Sequence, residues 1–148
     1  CSNRFETIRQ LASAGVRTSV IMAPIIPGLN DTQIAEVLER AKEAGAERAA
    51  MTLLRLPKEV LPVFLERLDA AFPDRAGKVR RAIQDMRGGK MNEASFGARM
   101  EGTGPRWQAI ATLFELTAKR VGLATWSRPE LREQATTFRC PSAQRELF

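Results

Sequence analysis

The nine residues Ala23-Pro-Ile-Ile-Pro-Gly-Leu-Asn-Asp31 have the clearest chemical potential in this 148-residue chain. An apolar, β-branched stretch runs into them and a helical pattern leaves them, so they mark a strand end that feeds a helix. Ligands of α/β folds collect at such ends. Gly28 lets backbone approach a ligand closely, and the start of the next helix offers free N–H groups. A tight turn without a ligand would use the same residues, and neither a P-loop nor a GxGxxG pattern is present.

A second candidate is electrostatic. The net charge is +6, from 23 basic and 17 acidic residues, and the excess is local. Region 75–106 has eight basic residues (Arg75, Lys78, Arg80, Arg81, Arg87, Lys90, Arg99, Arg106) against Asp85, Glu93 and Glu101, whereas 1–60 is nearly balanced. A basic stripe is the usual footprint of a polyanion, although it also serves solubility. Arg87, Lys90 and Arg99 lie in or beside a glycine-rich stretch, 88–105, that reads as a loop able to carry them to phosphates of DNA or RNA. Phe96 and Trp107 are nearby stacking candidates, but Trp107 falls in a helical apolar stripe and fits a core position better.

Other chemistry is poorly supplied. There is no His, so the side chain most easily poised for proton transfer near neutral pH is missing. Cys1 and Cys140 lack zinc-site spacing, and Cys140 is open to a redox role or to none. No apolar run approaches the length of a membrane span, and no secretory signal is present, so a reducing cytoplasm is expected.

The elements that position these residues form a βα pattern in 1–57. Helices are expected at 4–14 and 32–44, the second capped by Asn30 or Asp31, and strands near 16–23 and 49–54, each buried on both faces and closed by a proline. Ala14-Gly15-Val16 and Ala44-Gly45-Ala46 repeat 30 residues apart, each ending a helix before a strand. Two parallel strands need several neighbours, so the chain reads as the C-terminal piece of a longer α/β protein. The remainder, 58–148, reads as a helical extension with the basic loop 88–105 and a polar tail, 125–148.

Pro24-Ile-Ile26-Pro-Gly28-Leu-Asn-Asp31 resembles the GxIxGxxE motif ending the fifth strand of radical S-adenosylmethionine enzymes, with Pro for the first Gly and Asp for Glu. Leu-Leu-Arg-Leu-Pro57, Phe-Pro-Asp-Arg75, Arg87-Gly-Gly-Lys-Met-Asn, Phe96-Gly-Ala-Arg-Met and a terminal Leu-Phe extend the likeness over nearly the whole chain. In order and spacing they are similar to the C-terminal half of bacterial radical S-adenosylmethionine proteins of the spore-photoproduct-lyase-like or DNA-repair-photolyase-like kind. The resemblance implies the C-terminal portion of a partial (β/α)6 barrel, its fifth and sixth strands, followed by the helical extension. It implies a lyase in which a [4Fe–4S] cluster reductively cleaves S-adenosylmethionine to a 5′-deoxyadenosyl radical. Ile26 and Gly28 would lie against the adenine, Asp31 would anchor the turn, and Leu54 and Arg55 would line the cofactor. The cluster motif CxxxCxxC is absent, so the cluster would belong to a preceding half and this chain alone would be inactive.

Two other classes use the same residues: a nucleic-acid-binding α/β module without chemistry, and a doubly wound subunit binding a small ligand at Gly28. Gln144-Arg-Glu-Leu147-Phe148 also resembles the peptides by which bacterial repair proteins dock on the polymerase sliding clamp, with Gln144 fixing register and Leu147 and Phe148 as apolar anchors. A clasp of those two side chains onto the helical part is the plainer alternative.

Overall fold

The computed structural model describes residues 2–95 and 98–125; Phe96, Cys1, Cys140 and the clamp-like Gln144, Leu147 and Phe148 lie outside the described residues. The order is α1 (Ser2–Ser13), β1 (Ser19–Ile25), α2 (Ile34–Glu43), β2 (Arg48–Leu53), α3 (Val60–Ala71), α4 (Pro73–Asp85), α5 (Gly104–Val121) and β3 (Ala124–Thr125). The chain is α/β. Its strands form an open parallel sheet in the order β1-β2-β3, not closed into a barrel.

The helical crossover from β1 to β2 follows from the apolar face of α2. Ile34, Leu38 and Ala41 recur at helical spacing and are fully buried against Met22 and Ile25 of β1, Ala49 and Leu53 of β2, and Ile110, Phe114 and Ala118 of α5. Each large side chain so buried contributes about 1.5–3 kcal/mol. α1 joins this layer through Phe5 and Ile8, and the Arg40 guanidinium lies 4.5 Å from the centre of the Phe5 ring. A second cluster sits beyond the strand ends, where Ile26, Leu54 and Leu56 meet Leu68 of α3 and Ala76, Val79 and Ile83 of α4.

The strands depart from the sequence reading in three ways. β1 spans Ser19–Ile25 rather than 16–23, because the Val16 N–H is taken by the Leu11 carbonyl at the end of α1 while pairing continues past Pro24 to Ile25 opposite Leu53. Pro24 falls in the irregularity of the β1–β2 register between Met22 and Ile25, one of the places where a strand admits proline. Nor is β1 buried on both faces. Met22 and Ile25 face the helices, whereas Ser19 and Ala23 are exposed and Ile21 is 51% exposed on the opposite face.

The helical reading of 58–148 also omits a strand. After α5, Leu123 is buried, the Ala124 N–H bonds the Glu47 carbonyl, and β3 adds parallel to β2. α5 and β3 therefore share the core of 1–57, although 58–103 lies between. A two-residue strand is too short to leave a periodic signal.

Candidate functional site

The turn after β1 is built by its own polar side chains. The Asn30 carboxamide accepts from the Ile26 N–H at 2.7 Å and donates to the Pro24 carbonyl at 2.9 Å, while an Asp31 carboxylate oxygen accepts from the Gly28 N–H at 3.0 Å. Both residues thus reach backwards into the turn, and neither caps α2 as expected; a 3₁₀ turn, Asp31–Gln33, precedes that helix instead. Gly28 has φ +82°, a left-handed conformation that side chains resist. A Cβ there would stand 3.5 Å from Val79, an ordinary contact, so backbone conformation sets the demand for glycine here.

The positions tied to the cofactor by resemblance gather at the C-terminal ends of β1 and β2, where the Leu54 N–H bonds the Ile25 carbonyl at 3.0 Å. Ile26 and Leu54 pack into the cluster against α3 and α4, while Arg55 is exposed. The Asp31 carboxylate holds the turn by accepting from the Gly28 amide, which is therefore not a free donor. No group of three or more His, Cys, Asp or Glu able to hold a metal exists among the described residues, so these residues do not fit an iron–sulfur cluster.

The basic region divides into two parts. Arg87 is not a surface cation reaching for phosphate: it is 6% exposed, and its guanidinium donates to the carbonyls of Leu54, Glu101 and Arg99 at 2.9 Å and of Ala98 at 3.3 Å. Four backbone acceptors occupy its two terminal nitrogens. Burial lowers its pKa and the charge of Glu93 opposes that shift. The loop it belongs to is fastened elsewhere as well, through the Leu56 N–H to the Asn92 side chain and the Leu53 N–H to the Met100 carbonyl. Arg99 is half-buried and lends its carbonyl to Arg87, while Lys90 is exposed. The glycine-rich stretch is therefore a strap across the end of β2, not an arm, because buried carbonyls need donors and Arg87 has five to give.

The other part is a cleft of about 500 Å³ lined by Gly28, Arg75, Lys78, Arg81, Ala82, Asp85 and Arg106. α4 supplies its basic wall because Arg75, Lys78 and Arg81 recur every three residues, while Ala76, Val79, Ala82 and Ile83 bury the other face. Arg106 comes from the first turn of α5 and stands 3.8 Å from the Asp85 carboxylate. Arg75, Lys78 and Arg81 have no ion pair among the described residues, and what sets them apart is that they share one cleft. The cleft thus carries four cations against one carboxylate, beside the strand-end turn.

No family model, curated protein or solved structure matches this chain. Its site must be read from geometry. The sequence reading missed the meeting of the Gly28 turn with the basic wall. The three-residue spacing of Arg75, Lys78 and Arg81 was a usable signal for one face of α4; nothing in the sequence brings Gly28 or Arg106 to that face. Among the described residues, no helix is long and apolar enough to cross a membrane.

Proposed function

We propose that this chain is the C-terminal part of a radical S-adenosylmethionine iron–sulfur enzyme, a lyase of the DNA-repair-photolyase-like kind acting in the cytoplasm, and that β1 and β2 are the fifth and sixth strands of its partial barrel. One observation carries the reading. Parallel sheets occur almost only with both faces covered, yet here one face is packed by α2 and α5 while Ser19, Ile21 and Ala23 of β1 stand exposed on the other among the described residues. β1 also has an unpaired outer edge in that sheet. A preceding set of βα units would extend the sheet from that edge, curl it into a partial barrel and turn the bare face inward.

The GxIxGxxE-like turn, held by Asp31, then sits at the carboxyl ends of the strands, where barrel enzymes place their ligands. The iron–sulfur cluster belongs on this reading to residues outside those described here. Spectroscopy of the intact protein purified without oxygen tests it. Iron and sulfide in a 4:4 ratio per chain, with the visible absorption of a [4Fe–4S] centre, support the reading; an intact protein that takes up no iron on reconstitution overturns it.

A further inference from the structure

The basic cleft shares Gly28 with the strand-end turn, but its four cations have no role in the barrel reading. Three of its cations, Arg75, Lys78 and Arg81, recur along α4 and converge on one cleft without carboxylate partners among the described residues. Holding like charges together costs free energy that a bound anion would recover. The fourth, Arg106, faces Asp85 at 3.8 Å, a loose contact that leaves its guanidinium able to turn toward a ligand. Gly28 and Ala82 are the small residues of the lining, and no aromatic side chain is among them, so the walls offer charge rather than a surface for stacking a base.

Volume and charge together define the ligand. About 500 Å³ lies within the range of small-molecule sites and is larger than one phosphate needs. Four cations less one carboxylate leave an excess of three positive charges, enough to offset two adjacent phosphates. Guanidinium groups also present the paired N–H donors that suit phosphate oxygens. We propose that the cleft between the Gly28 turn, α4 and the start of α5 is a binding site for a diphosphate-class oxyanion, with Arg75, Lys78, Arg81 and Arg106 as its ligands.

Such phosphates can come from a compact diphosphate or from neighbouring links of a polynucleotide backbone. Titration calorimetry of the intact protein with inorganic pyrophosphate, and then with oligothymidylate as competitor, separates the two. Pyrophosphate should bind, and Arg75→Gln, Lys78→Gln and Arg81→Gln should each weaken it about tenfold, the scale of one lost charge-assisted hydrogen bond. Arg9→Gln and Arg17→Gln, which remove cations outside the cleft, should leave the affinity unchanged. Displacement by oligothymidylate assigns the site to a polynucleotide backbone; retention of pyrophosphate assigns it to a compact diphosphate. Either result supports the site. Binding of neither probe at millimolar concentration overturns it, as does pyrophosphate affinity that is the same in the three cleft variants, with circular dichroism showing them folded.

Discussion

Arg87 donates from Nη2 to the carbonyl oxygen of Leu54 at 2.9 Å, joining the segment just past α4 to the residue just past β2. The same guanidinium holds the carbonyls of Ala98, Arg99 and Glu101. A basic residue in a basic region is here a structural clasp, whereas Arg75, Lys78 and Arg81 of α4 line an open cleft.

Arg87→Gln should therefore destabilise the fold by about 1.5–3 kcal/mol, because the buried Leu54 carbonyl and three partly buried ones lose charged donors that a shorter amide cannot replace. Urea unfolding measures this. A loss under about 0.5 kcal/mol would mean that the strap stands without Arg87.

Gly28→Ala should cost about 1–2 kcal/mol through the left-handed backbone alone, since its Cβ would meet Val79 at an ordinary 3.5 Å. Gly28→Val, whose β-branched side chain suits a left-handed position still less, should cost at least as much stability. Equal unfolding midpoints for the wild type and Gly28→Ala would contradict the strained turn.

Gly102→Ala tests close packing without backbone strain. An added Cβ would stand 2.8 Å from the Trp107 ring and 3.0 Å from Leu53, so the indole must shift, at a cost of about 1–3 kcal/mol. Trp107 fluorescence should change together with the unfolding midpoint. An unaltered emission spectrum and midpoint would show that the ring yields freely.

The βα order, the crossover helix and its buried face were legible because hydrophobic periodicity records burial directly. Ile34, Leu38 and Ala41 state the helix in their spacing. What periodicity cannot record is which face a missing neighbour should cover, so Ile21 passes for a core residue until the sheet is seen bare. Charge is read equally poorly: Arg87 and Arg81 look alike in sequence, yet one is enclosed by backbone carbonyls and the other lines an open cleft, a difference made by tertiary contacts up to 33 residues apart.

Glu93 gives a pH signature for the strap. Hydrogen bonds from the Ser95 hydroxyl and then the Ser95 amide hold its pKa below the ordinary carboxylate value, with burial opposing. A depressed folded pKa contributes stability that is present above the unfolded value and is lost as pH falls through the folded one. The Ser95 amide resonance should consequently titrate with a midpoint below the usual glutamate range, and Glu93→Gln should abolish that transition. A midpoint at or above the free glutamate value would contradict the bonding.

The reading of β1 and β2 as barrel strands of an S-adenosylmethionine enzyme is tested most directly by product formation. The intact protein, reconstituted with iron and sulfide without oxygen, is incubated with S-adenosylmethionine and dithionite, and 5′-deoxyadenosine is quantified by chromatography. The barrel reading predicts 5′-deoxyadenosine that depends on the reductant and is absent when residues 1–148 are assayed alone. No 5′-deoxyadenosine from an intact protein shown to carry its iron would contradict it.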